Sequence, residues 1–368
     1  VIVLVALMFA AVALVSFIEK ASNDLLMETR EADAARLRQE AQSAMETVFA
    51  VLEDFRIVNN GLRSPAEGWS DPLKFADYVP AEGSVVEVSF EDESGKLSLP
   101  TLDGPTLIAL FKSWEIRESD AERLADALLG WMRPDHVPAT AGAPTADDYD
   151  RGETPYKPPA RSLRSFSELA AIKVADEIFY DERGRPNALW RRFHDAVSLY
   201  QYTTPNLNAA PADALAALSQ FDSGQQQRFD EYRRGTGPYE RRGPGFFKSP
   251  EDAAAIAGGQ VALTGFGVEI RALRVTVAVK KGASRYELAV VVAPPGGAQI
   301  VRSGPSTPSG TKPEPGAPPV ATQAPQAGAA NPAVEGGGGA KKLNYPFTLL
   351  EITENVVLSA QHTPEPAL

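Results

Sequence analysis

Residues 1–18 form an unbroken apolar run, and the first charge along the chain is Glu19. As a helix the run spans roughly 27 Å, enough to cross a bilayer core. A removable secretory signal would end in a small-residue cleavage site followed by a fresh domain start, and neither is visible. Instead the chain continues without Gly or Pro to about Asn60, and Leu37, Ala41, Ala44, Met45, Val48, Phe49, Leu52 and Phe55 recur at helical spacing. One continuous helix is predicted. Its first part is a membrane or assembly segment carried by Val1, Leu4, Leu7, Phe9, Leu14 and Phe17, and its second lays an apolar stripe on a soluble body. Gly61 and Ser64-Pro65 end it.

Period-two alternation predicts a strand at 85–90, and Asp92-Glu93-Ser94-Gly95 reads as a turn into Lys96-Leu97-Ser98-Leu99. Helices follow. Gly104-Pro105 opens one, Ser119 to Glu122 reads as a capping box before 123–129, and Ser165 to Glu168 reads as a second box. The Pro-, Gly- and Asp-rich stretch 133–164 is too polar to be core. Short helices are expected near 187–198, 211–220, 225–234 and 250–257. Alternation returns at 268–279 and 285–292, an antiparallel hairpin joined through Lys281-Gly282-Ala283. Residues 296–342 are rich in Pro, Gly and Ala without one aromatic, a linker that cannot bury a core. A last strand is expected at 345–352.

The predicted class is therefore α+β: a long N-terminal helix on a small antiparallel sheet, with a large helical domain inserted between the strands. The expected divisions are 1–18 and 19–60 for the two parts of the helix, 61–103 for the first part of the α/β domain, 104–262 for the insert, 263–295 for the returning sheet, 296–342 for the linker and 343–368 for the last strand and tail.

The 368 residues suffice for ordinary cores. A net charge of −12 and a pI near 4.9 argue against a nucleic-acid partner, which needs a basic face. With no cysteine there is no disulfide framework, thiolate metal site or Cys nucleophile. No initiating Met is present, so processing ahead of residue 1 is expected, with a leader ending in Gly after a basic stretch.

Five local patterns in order resemble the K-type minor pseudopilin family of type II secretion. They are the apolar helix, the acidic turn Glu91 to Leu102, Leu128-Leu129-Gly130-Trp131-Met132, the pair Pro155 to Pro159 with Leu163 to Leu169, and Thr204-Pro205-Asn206-Leu207-Asn208-Ala209 running on to Leu218. Gly130 and Arg133 depart from the family's Asp residues flanking the Trp, and Ala209 from its usual Thr. The resemblance implies an inserted helical domain, a single-pass inner-membrane anchor with the body in the periplasm, and a place at the pseudopilus tip with the I- and J-type minor pseudopilins as partners. It also implies a cap, because the family lacks the Glu that most pilins carry near the mature N-terminus, and no acid precedes Glu19.

Asp147, Asp148, Asp150 and Glu153 group hard oxygen ligands suited to Ca²⁺, and the resemblance implies calcium in such proteins. Gly152 stands where a third ligand belongs, so the loop is not a complete EF-hand; a solvated acidic loop is the alternative. His136, His194 and His362 lie far apart, no nucleophile elbow or phosphate loop occurs, and no catalytic residue is expected. Arg233-Arg234 and Arg241-Arg242 form one basic patch whose default is a solvated face. The function read from the chain is a non-enzymatic cap of the secretion pseudopilus. The alternatives are a type IV pilus minor pilin, or a membrane-tethered periplasmic module that uses the helix-hairpin-helix-like segment at 206–218 for binding or DNA uptake.

Overall fold

In the computed structural model the described residues are 2–151, 155–219, 221–258, 261, 263–282, 284–301 and 346–357. Helix α1 (Ile2–Asn59) runs for 58 residues, about 87 Å at 1.5 Å per residue. Nothing in its sequence interrupts the backbone ladder until Asn60 and Gly61, both at positive φ, where the Gly61 N–H caps the Arg56 carbonyl. A short helix α2 (Pro72–Phe75) leads into strand β1 (Ser84–Asp92).

The insert then begins. Strand β2 (Leu97–Ser98) is followed by α3 (Gly104–Ser113), α4 (Glu118–Met132), α5 (Ala146–Asp150), α6 (Ala175–Phe179) and α7 (Ala188–Ala196). Strand β3 (Val197–Ser198), α8 (Ala212–Leu218), α9 (Ser223–Arg234) and α10 (Pro250–Ala257) complete it. The chain returns through β4 (Leu273–Lys281) and β5 (Ser284–Ala293), and β6 (Thr348–Val357) closes the order β1-β4-β5-β6, antiparallel throughout.

The lower half of α1 lies on one face of this sheet. Leu37, Ala41, Ala44, Met45, Val48, Phe49 and Leu52 are buried against Val275, Val277 and Val279 of β4 and Tyr286, Leu288, Val290 and Val292 of β5. Period 3.6 on the helix and period 2 on the strands bring these two apolar surfaces together. Phe347, just ahead of β6, sets its ring 5.9 Å from Phe49. The opposite face of the sheet is covered more narrowly, by Tyr200, Tyr202 and Ala298 on Ala272, Val291 and Ala293. The insert holds two cores of its own. One gathers Leu107, Phe111, Leu128, Trp131, Phe179 and Phe193, and the other Leu215, Phe229, Phe247 and Ala253.

Several expectations need correction. The early strand pair does not form: β2 leaves the main sheet and pairs in parallel with β3, Leu97 opposite Val197. Helix α4 starts at Glu118 rather than after a Ser119 cap, placing Glu118 and Asp120 in the first turn where the helix dipole favours them. Ser165 does cap, through Ser167 N–H at 3.2 Å, but it opens a 3₁₀ turn and Glu168 turns elsewhere. The stretch 133–164 contributes Tyr149 and Leu163 to the core. Residues 268–272 precede β4 as irregular chain. Residues 296–301 belong to the body: the Ala298 N–H donates to the Arg271 carbonyl at 2.7 Å, and Gln299 bridges Gln201. The remainder of the expected linker, 302–342, lies outside the described residues.

Leu52 is fully enclosed between α1 and the sheet. Leu52→Ala is expected to lower the unfolding free energy by roughly 2–5 kcal/mol, read as a shift in denaturant midpoint at constant slope.

Candidate functional site

Two features are unlike an ordinary globular body. The first is the upper half of α1. From Ile2 to Arg36 its described side chains are exposed apart from a half-buried Ala34, and Phe9, Leu14 and Phe17 stand at 72, 60 and 68 %. An apolar helical surface of this length calls for lipid or another protein. Among the described residues no helix is long and apolar enough to cross a membrane. The expected span falls partly outside them, since Val1 and the side chains of Leu4 and Leu7 are not described.

The second feature is the junction where the insert leaves and rejoins the sheet. Asp92 ends β1, and its carboxylate accepts from the Ser94 N–H at 2.9 Å, the Ser94 hydroxyl at 2.6 Å and the Asn206 amide at 2.6 Å. Asn206 also donates to the Arg63 carbonyl at 2.9 Å, and its backbone N–H reaches the Ser94 carbonyl at 2.7 Å. The returning chain closes the knot: the Arg271 N–H donates to Ser94 Oγ at 2.7 Å, and Leu207 pairs with Gly267. Gly95 is required by space. A Cβ there would lie 2.7 Å from the Ala209 carbonyl carbon and oxygen. Asn208 extends the same clamp, donating to the Phe247 and Val268 carbonyls and accepting from the Phe247 N–H.

Beside the junction runs an ion network. Lys96 Nζ lies 2.7 Å from Glu91 and 3.1 Å from Glu93, and Arg274 Nε sits 2.9 Å from Glu93, with its Nη1 3.6 Å from Glu351. Burial opposes the Lys96 charge, yet Glu93 and Glu91 hold its pKa above the ordinary lysine value. Burial likewise works against a charged Glu351, but the Tyr200 hydroxyl and Arg274 keep its carboxyl below the usual range. A cleft of about 940 Å³ opens here between insert and sheet, lined by Phe166, Trp190, His194 and Leu350 as well as Glu91, Glu93, Arg274 and Glu351. Its three carboxylates, Glu91, Glu93 and Glu351, all stand in ion pairs, so none is poised for proton transfer.

The acidic loop does not assemble a metal centre among the described residues. No group of three or more His, Asp or Glu there could hold an ion, and Glu153 lies outside them. Asp148 is used locally: its carboxylate accepts from the Thr145 N–H at 2.8 Å and hydroxyl at 2.7 Å, which lowers its pKa. Asp147 and Asp150 are exposed on the same short helix. Tyr149 between them turns inward, 5.7 Å from Trp131. Of the basic patch, Arg233 is an internal clamp, donating to the Leu207 and Ala210 carbonyls.

Arg274 and Glu351 were not singled out from the chain, and Asp92 was noted only as part of a turn. Asn206 and Gly95 were noted only as parts of motifs. Two motifs about 110 residues apart give no local sign that they meet.

Gly95→Ala must push the Ala209 backbone aside. We expect a loss of about 1–3 kcal/mol in urea unfolding, as for other overpacked sites, and an unchanged midpoint would show that the two segments do not touch.

Residues 95–183 match the family model for type II secretion system protein K. The type II secretion system protein K of Pseudomonas aeruginosa is 25 % identical over 194 residues, covering 49 % of this chain and 54 % of that protein, so the chain spans about half the length of this curated relative. A solved structure, the GspK-GspI-GspJ complex of the enterotoxigenic Escherichia coli type 2 secretion system, aligns with a TM-score of 0.49 and 15 % identity over 75 % of this chain and 96 % of that one. The matched residues run from the Gly95 side of the junction through α3, α4 and the Trp131 cluster, and this part of the chain is similar to protein K of the type II secretion system.

Proposed function

We propose that this chain is a non-enzymatic minor pseudopilin of type II secretion, anchored by the upper half of α1 in the inner membrane with its body in the periplasm, and capping the pseudopilus tip beside I- and J-type minor pseudopilins. The observation that carries this reading is the division of α1. Its lower half is seated on the sheet from Leu37 to Leu52, while its upper half presents apolar side chains to no partner within the described body. A helix built this way joins a soluble domain to a membrane before assembly and to neighbouring helices afterwards. The similarity of residues 95–183 to protein K points to the type II secretion machine, and the I- and J-type partners follow from the resemblance of the chain's ordered motifs to that family.

The alternative DNA-binding use of the segment at 206–218 is disfavoured by its contacts. Asn206 and Asn208 face inward onto Asp92, Phe247 and Val268, and Arg233 is engaged with carbonyls, leaving those donors unable to meet phosphates. Calcium remains part of the proposal only through Asp147, Asp150 and Glu153, since Asp148 already caps its own helix.

Removing residues 1–18 is expected to leave a folded, detergent-independent body that retains the helical circular dichroism of the rest and co-purifies with the soluble parts of the I- and J-type subunits. A truncated protein that folds but binds neither would overturn the tip assignment. One that cannot leave the membrane fraction would overturn the division of α1.

A further inference from the structure

The junction holds a titratable group that assembly does not explain. Asp92 is half-buried as a residue, but its carboxyl points into the knot formed by β1, the loop after α1, the Asn206 loop and the returning chain before β4. The charged groups around it are already matched. Glu93 on its own strand end is held by Lys96 and Arg274, and Glu91 also faces Lys96. Arg63 from the loop after α1 is paired with Glu67, and Arg271 from the returning chain with Glu269. The Asn206 loop brings Asn206 and the neutral Tyr202 hydroxyl, which donates to the Glu93 and Lys96 carbonyls. No cation contacts Asp92 among the described residues; its three donors are neutral. A buried carboxylate with neutral donors alone is costly to ionise.

The knot also has a place for a proton. Asp92 Oδ1 and Ser94 Oγ are 2.6 Å apart, and Ser94 Oγ already accepts from Arg271, so either oxygen can be the donor across that contact without moving the chain. We propose that Asp92 is a pH-sensitive latch: its neutral carboxyl holds the helical insert closed on the sheet, and its ionisation loosens the Asn206 loop so that water can reach the charge.

Enclosure pushes the Asp92 carboxyl up to about 7, burial outweighing the donors from Ser94 and Asn206, with Glu93 adding to the rise. An opened, hydrated Asp titrates near 3.9 (roughly). The closed state therefore binds the proton more tightly. Its advantage is full below about pH 4, falls as pH rises towards about 7, and is gone above it. Such a junction would be tight in acid and looser at neutral and alkaline pH.

The test uses the purified full chain in detergent. Carbon-13 titration of the Asp92 carboxyl should give a midpoint near 7. Amide hydrogen exchange, corrected for its intrinsic pH dependence, should show protection at residues 204–210 falling at least about tenfold between pH 5.5 and 8. In Asp92→Asn the amide nitrogen, in the place of Oδ1, can donate to Ser94 Oγ and its oxygen can accept from Asn206, while the Ser94 N–H turns to its other acceptor, the Ala272 carbonyl at 3.2 Å, so protection should stay high at both pH values. A midpoint in the ordinary carboxylate range, exchange independent of pH, or an Asp92→Asn protein that keeps the wild-type pH response would each overturn the latch. If that variant does not fold, the wild-type titration and exchange still decide it.

Discussion

The body depends on one constraint: a helical insert of well over a hundred residues must leave the sheet after β1 and re-enter it before β4, two strands that are hydrogen-bonded neighbours. The two ends of the insert are therefore forced to within a strand spacing of each other, and their backbone polar groups cannot all join the sheet ladder. Ser94 and Asn206 resolve this. Ser94 serves both ends, its N–H reaching the Ala272 carbonyl and its hydroxyl accepting from Arg271, while Asn206 ties the far side of the insert to β1 and to the loop after α1. With those groups satisfied, Tyr200, Tyr202 and Ala298 can seal the second face of the sheet.

The long helix is governed by a different balance. Its lower half gains stability by area, one apolar stripe against the alternating faces of β4 and β5. Its upper half has no such surface and keeps the same backbone regularity regardless. The result is an element whose two ends are designed for different surroundings. In that division the insert and sheet form a load, and the helix a handle.

Much of this was legible in the chain, for reasons particular to each element. α1 was legible because no Gly or Pro interrupts it and the stripe from Leu37 to Leu52 keeps a single period. β4 and β5 were legible because alternation survives on both strands, and α10 because Ser249 and Pro250 mark its start. β2 was misread because two residues carry no period, and its partner β3 lies 100 positions away. The core role of Tyr149 and Leu163 was hidden by the polar residues around them, since burial of an isolated side chain depends on what folds over it. The junction was the least visible of all. Asp92 and Asn206 meet only because the insert closes on itself, whereas among the described residues Asp147, Asp148 and Asp150, which did look like a site, no such closure gathers a metal-binding group.

The pairing of α1 with the sheet has a consequence for how the subunit is made. Arg38 reaches Glu354 across 316 positions, and Phe49 meets Phe347 at a similar separation. The stripe on the helix therefore emerges long before the strands that cover it, and contacts of such high order form slowly. During synthesis the amphipathic half must wait with Leu37, Val48 and Leu52 uncovered, at risk of sticking to other nascent chains. A helix whose preceding segment lies at a lipid surface can shelter that stripe in the interface until β6 arrives, so the anchoring proposed for the first part of α1 would also protect the chain while it folds.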